Sequence, residues 1–358
     1  MDMDKLPSAG DAKASRRRIE YCANQGLFRH AIPADCGGFG NHFADLVNAH
    51  EKLGKSCKDT GLLLSINAHL WGALFPILKY GNARQQEIYL SGLITGSRIG
   101  GHAITEPQAG SDLNALAMTA VQSGDGFLLN GHKRFITNTP IADLLVVYAR
   151  LDNKLSAFIV DKDDQGASFL DAPRVSGCRS ATMGDVILDN CLIPSIRQLG
   201  KTGAGNMMIQ QALELERAFI FAGICGIMDW QLETVIKFSR ERRVNGIHLG
   251  KNQAISHKIA EMKLRLDTIR LWVNECARQK GGNKRITLTS AQTKLFAAEA
   301  FLQSSLDAVH ILGSNGLTEA SPMADLVNDA LASRLFSGSS EIQKNIIAAL
   351  LGTGEGYR

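Results

Sequence analysis

A chain of 358 residues, 45% hydrophobic and 21% charged, outgrows a single hydrophobic core, so two or three packed units are expected. Its formal net charge of +4 is small, and the basic clusters "SRRR" and "SRERR" lack interleaved aromatic residues, which argues against a nucleic-acid surface. No run of about 18 or more uncharged apolar residues reads as a membrane span. The start "MDMDKLPSAGDAKASRRR" has neither an apolar core nor a small-residue cleavage site, so a cytoplasmic chain is expected.

From about 13 to 97 the pattern is helical: "FADLVNAHEKLGKS" and "GLLLSINAHLWGALFPILKYG" repeat apolar residues at three and four and end near glycines suited to left-handed caps. From about 100 to 199 the texture becomes short β-type runs, "GFLLNG", "RFITN", "DLLVVYAR", "SAFIVD" and "GDVILDNCLI", punctuated by Gly, Asn, Asp and Pro. Four long helices are then predicted at about 206–240, 251–280, 287–312 and 323–351, an arrangement that argues for a bundle. The seven cysteines are odd in number and form no CxxC pair, so reduced, mostly buried thiols are expected. The nine histidines form no HExxH, so no metal site is expected, and the absence of GxGxxG after a strand and of GxxxxGK[ST] leaves Rossmann and P-loop binding without support.

Three stretches carry candidate chemistry. "HAITEPQAGSD" places Thr105, Gly110 and Ser111 in a donor-rich turn, readable on residue types alone as plain surface or as a wrap for an anion or heterocycle. In "LNGHKRFITN" the ring of Phe135 and the hydroxyl of Thr137 lie two apart on a predicted strand, on one face, where they can dock a planar ring. In "LELERAFI" Glu214 and Glu216 lie about 200° apart around a helix and cannot share a face. Glu214 is expected to be solvated. The run "AFIFAGICGIM" after Arg217 is apolar on all sides, so Glu216 is expected to point into an interior that tolerates a carboxylate only if it is used or paired.

In their order and spacing, "ITEPQAGSD", "LNGHKRFITN", "ERRVNGIHLGKNQAISHKIAEM", "LGSNGL" and "FSGSSEIQKNIIAALLG" resemble the acyl-CoA dehydrogenase family of flavoproteins, from about Ile32 to the last helix. The resemblance implies an α+β fold with an N-terminal helical domain (1–97), a middle β-barrel (98–204) and a C-terminal four-helix bundle (205–358), assembled as a homodimer or homotetramer that binds FAD between subunits. It implies that Ile104, Thr105 and Ser111 contact FAD, with Ser111 also near the thioester arm of the substrate. Phe135, Ile136 and Thr137 would line the flavin, Ser339 would join the cofactor contacts, and Arg217 and Ser337 would contact substrate. Arg242 and Gln253 would reach the FAD of a neighbouring subunit, the arginine by pairing with pyrophosphate. Asn245 stands where the family carries Phe against the adenine, which implies a looser hold at that end, and the first helix is expected to be short or missing.

The family's chemistry moves the α-proton of a thioester to a carboxylate while the β-hydrogen leaves as hydride to the flavin. It needs a base, and donors where enolate charge develops on the thioester oxygen. In most relatives the base is the Glu of a "YEGT" stretch at the start of the last helix; here the stretch is "FSGSS" and the position is Ser337, whose amide alone can serve, as a donor to the thioester carbonyl. In relatives such as the isovaleryl-CoA and long-chain enzymes the base sits on a bundle helix just before an arginine, and here that position is Glu216. "SINAHLWGALFPILKYG", "RFITNTPIAD" and "SRLFSGSSEIQK" resemble the flavoproteins that desaturate a prolyl group on a peptidyl carrier protein. "SGCRSATMGDVILDNCLIP" is similar to enzymes acting on small acyl groups held on acyl carrier proteins. An acyl or aminoacyl thioester on a carrier protein, in secondary metabolism, is therefore expected ahead of free acyl-CoA. A flavin-dependent oxidase or monooxygenase of the same fold and a non-catalytic scaffold stay open as alternatives, and so does the electron acceptor.

Overall fold

The computed structural model describes residues 5–7, 10–40, 42–171, 175–319 and 321–354, so part of the start read for a signal sequence (1–4, 8 and 9) and both outer limits, 1 and 358, lie outside the described residues. The first five helices are α1 Ala12–Asn24, α2 Phe43–Cys57, α3 Thr60–His69, α4 Phe75–Tyr80 and α5 Ala83–Thr95. The side chains of Asp11 and Asp59 cap α1 and α3 by accepting from the amides of Ala14 and Leu62, and Asn82 with Gln85 forms a capping box at α5. Between α3 and α4 the helix widens into a π turn, Leu70–Leu74, just ahead of Pro76, which has no N–H to offer the carbonyl four residues back.

Eight strands follow: β1 Gly100–Ala103, β2 Thr119–Ser123, β3 Gly126–Ile136, β4 Leu144–Leu151, β5 Lys154–Asp161, β6 Ala167–Asp171, β7 Gly184–Pro194 and β8 Gln198–Leu199. They form one sheet in the order β6-β7-β3-β2-β4-β5-β8, with β1 parallel to β4, wrapped around a core of its own that includes Leu129, Leu145, Phe158 and Val186. "GFLLNG" and "RFITN" are one strand, β3, carried past register shifts between Leu129 and Gly131 and between Lys133 and Ile136. β1, β2, β6 and β8 are short and were not marked by alternation in the sequence.

The C-terminal helices are α6 Gly205–Glu241, α7 Gln253–Gly281, α8 Thr287–Leu312, α9 Met323–Ser333 and α10 Ser340–Leu350. The predicted fourth bundle helix, 323–351, is thus two helices. The break falls where Ser337 and Gly338 take positive φ, 55° and 90°, and where the Ser339 hydroxyl accepts from the Ile342 amide to start α10. α6 is buried on every side for most of its length and crosses α2 so closely that a Cβ on Gly54 would lie 1.8 Å from the Gly223 carbonyl oxygen. Against the sequence reading, two helical stretches, Thr60–Tyr80 and Gly205–Glu241, are long and apolar enough to span a membrane by length and composition; their apolar windows are 89% and 72% buried inside the protein. Between α6 and α7, β9 Arg243–Val244 pairs with β10 Ile247–His248 through Asn245 and Gly246, both at positive φ (50° and 79°), the residues a tight primed hairpin turn asks for. Local backbone geometry thus accounts for Asn245. All seven cysteines are free, five of them buried, and no metal-holding cluster occurs among the described residues.

Candidate active site

A cavity of about 720 Å³ opens where α6, β1 and its following loop, the end of β3 and the α9–α10 break meet. Its walls bring together Ile104, Thr105, Ser111, Phe135, Ile136, Thr137, Glu216, Arg217, Ser337 and Ser339 from five separate stretches of chain. Arg242 and Gln253 are not part of it. Both are exposed at the α6–α7 connection, with the Arg242 backbone tied to Phe238 and Leu249.

The loop after β1 is held from beneath by a buried ion pair. Lys133 donates to Glu106 Oε1 at 2.7 Å and to the Ile104 carbonyl at 2.9 Å, while Glu106 also accepts from the amides of Ala117 and Met118. Burial pushes the Lys133 ammonium down to about 8, against the pull of Glu106. Burial raises the Glu106 carboxyl, and Lys133 with the two amides outweighs it, leaving the group below its ordinary value. Such a pair breaks badly if one partner is removed, so its role is to fix the backbone that presents Thr105 and Ser111.

Phe135 sits at the second β3 irregularity with φ 56°, 48% exposed, its amide donating to Asp185 and the Arg134 guanidinium 5.0 Å from its ring centre. The bulge ends strict alternation. Phe135, Ile136 and Thr137 consequently all face the cavity, whereas plain strand geometry would have presented only the first and third. Asn138 anchors the end of this stretch by donating to the Ser65 and Gly100 carbonyls.

On α6 the two glutamates separate as the helix geometry requires, but the expectation that Glu214 is solvated is wrong. Glu214 is 6% exposed and accepts from the Ile286 amide at 3.0 Å and from the Thr287 hydroxyl, satisfying the start of α8, where a negative charge is favoured. Glu216 is 3% exposed, faces the cavity, and keeps Oε2 without a hydrogen-bond partner. His102 on β1 brings its Nε2 to 3.5 Å from that oxygen. Arg217, buried, donates from Nε to the Ser337 carbonyl at 2.9 Å and so pins the α9–α10 break to α6. Burial pushes its guanidinium down to about 10, with Glu216 and Glu214 pulling the other way, so it is cationic at neutral pH. None of the backbone hydrogen bonds among the described residues uses the Ser337 amide, and the Ser337 hydroxyl is buried without a partner. His102, Glu106 and Lys133 were not singled out by the sequence reading.

A cavity of this size, with a half-exposed aromatic ring, several hydroxyls and apolar side chains on its walls, fits a planar heterocycle plus a narrow acyl arm. Comparison with known proteins agrees. Family models described as the N-terminal, middle and C-terminal domains of acyl-CoA dehydrogenase match residues 4–97, 101–191 and 203–352. The chain is 36% identical over 338 residues to an L-prolyl-[peptidyl-carrier protein] dehydrogenase of Pseudomonas fluorescens, covering 93% of this chain and 89% of that one. It is 34% identical over 339 residues to the mitochondrial short-chain specific acyl-CoA dehydrogenase of Mus musculus, covering 93% and 82%. Among solved structures, the prolyl acyl carrier protein oxidase AnaB superposes with TM-score 0.92 at 35% identity over 98% of this chain and 94% of that one. PigA with FAD and proline superposes with TM-score 0.91 at 29% identity over 96% and 90%.

Proposed function

The chain belongs to the acyl-CoA dehydrogenase family, FAD-dependent oxidoreductases that act on the CH–CH bond of acyl thioesters, and on that premise we propose that it desaturates an acyl or aminoacyl group held on a carrier protein, with Glu216 as the base. The observation that carries the reading is the Glu216 carboxylate: almost wholly buried, lining the cavity, and with one oxygen left unpartnered. Burying such a group idle would cost several kcal/mol. Ser337 occupies the other wall and has no acidic side chain to compete for the role.

In this reading Thr105, Ser111, Phe135, Ile136, Thr137 and Ser339 hold FAD, which when bound supplies the acceptor for the β-hydrogen and its electron pair. Glu216 takes the α-proton. The Ser337 amide, free of other acceptors, donates to the thioester oxygen as enolate charge gathers there, a contribution that grows toward the transition state. Arg217 holds the Ser337 carbonyl and so anchors the residue that carries that amide. The apolar wall of Leu64, Leu113, Leu213 and Met183 excludes water from the reacting carbon atoms.

The likeness to prolyl-carrier dehydrogenases over nearly the whole chain supports the carrier-bound substrate, and the likeness to a short-chain acyl-CoA enzyme keeps a small free acyl-CoA as the second reading. A mass-spectrometric panel separates them: L-prolyl, propionyl, butyryl and isovaleryl groups, each loaded on a peptidyl or acyl carrier protein and each on CoA. Loss of two hydrogens at least ten times faster from a carrier-bound member is expected. Faster turnover of the free CoA form would overturn the carrier assignment.

A further inference from the structure

His102 is fixed from two sides. Its backbone pairs with Val146 in β4, and the π turn packs on it so tightly that a Cβ on Gly72 would lie 2.8 Å from His102 Cγ and 2.9 Å from its amide nitrogen. The ring is therefore rigidly presented to α6. There it meets Glu216 across 3.5 Å, a distance just outside a formed hydrogen bond and one that small side-chain rotations close. His102 Nδ1 and Glu216 Oε2 are both buried without partners, the latter being the oxygen that Nε2 faces. Burial pushes the imidazole below its ordinary value, and among the described residues the charge pulling it back is Glu216 alone, so the ring is neutral at pH 7. The other groups near the pair are Arg217, committed to the Ser337 carbonyl, and His69, whose ring is engaged by the Gly100 amide and the Leu93 carbonyl. A neutral imidazole has one N–H, and a carboxylate oxygen can only accept, so the hydrogen belongs on Nε2.

We propose that His102 is the positioning residue of the base: its Nε2–H donates to Glu216 Oε2, turning Oε1 toward the substrate. The inference rests on the reading of Glu216 as the base and adds its partner.

The test has two arms. In ring-nitrogen NMR of the holoenzyme, with the His102 signal assigned by its loss in His102→Leu, the wild-type ring is expected to be neutral and protonated on Nε2 at pH 7. A ring protonated on Nδ1, or an imidazolium, overturns the proposal without any substrate. In the second arm, kcat and KM for the fastest thioester of the carrier and CoA panel are measured separately. His102→Leu is expected to lower kcat roughly ten-fold with KM near wild type, because the base is misaimed while the substrate contacts are kept, and His102→Gln, which keeps a donor, recovers most of the loss. An unchanged kcat, a loss carried by KM, or no recovery in His102→Gln contradicts a positioning role. Full turnover by Glu216→Gln would instead remove the base itself, a separate outcome. Should His102→Leu not fold, His102→Gln and His102→Phe give the assignment and the kcat comparison.

Discussion

Asp329, on α9, accepts from the Cys178 amide at 2.6 Å and is 9% exposed; burial, with Asp59 adding to it against the Cys178 amide, pushes its carboxyl up to about 6. A carboxyl raised above its unfolded value stabilises the fold at low pH and loses that contribution as pH rises through about 6. Asp329→Asn keeps an acceptor for the amide and removes the charge. Denaturant unfolding at pH 7.5 is therefore expected to show the variant more stable than wild type by on the order of 1 kcal/mol, with the gap narrowing below about 6 and closing as the pH approaches the ordinary carboxylate value. A variant equally weakened at both pH values would show that the charge is not the issue. Other single residues teach how far a sequence speaks. Glu216 was legible because its reason is local: helix geometry separates it from Glu214 and an apolar run follows it. The burial of Glu214 was not, because its partners, Ile286 and Thr287, lie 72 and 73 residues away. His102 gains meaning only from a residue of another element, so nothing beside it in the chain marks it.

Among the elements, long periodic helices were readable nearly to their ends: 206–240 against Gly205–Glu241, and 287–312 against Thr287–Leu312. The last helix was not, since its apolar periodicity runs across the break and hides it. A signal was present in "FSGSSEIQ": a glycine suited to positive φ followed by a serine able to cap. That break shapes the site, because a continuous helix would commit the Ser337 amide to its own turn. Strands fared less well. β3 was read as two runs because the bulges that interrupt its alternation are the same ones that bring Phe135, Ile136 and Thr137 together on one wall. β1 is four residues long and its role, presenting His102, depends on pairing with β4.

For the whole molecule, the change of texture from helix to strand and back was plain, with α5 ending at Thr95, β1 starting at Gly100, and α6 starting at Gly205. Assembly is a proposal that surface chemistry supports. Leu264 and Leu271 on α7 are 67% and 73% exposed, seven residues apart on one face, an apolar pair that a second copy could cover. Light scattering is expected to show two or four copies, and Leu264→Glu with Leu271→Glu to dissociate them; a monomeric wild type contradicts this. The fold and the cavity would survive that result, but not the loss of the base. Single-turnover formation of the enoyl thioester by Glu216→Gln is thus the most direct measurement, made beside wild type and the double variant Glu216→Gln, Ser337→Glu. Removal of a general base costs about 10²–10⁴-fold, so Glu216→Gln should fall by that factor, and a carboxylate restored on the facing wall should recover part of it. Turnover by Glu216→Gln within a few-fold of wild type would contradict the account.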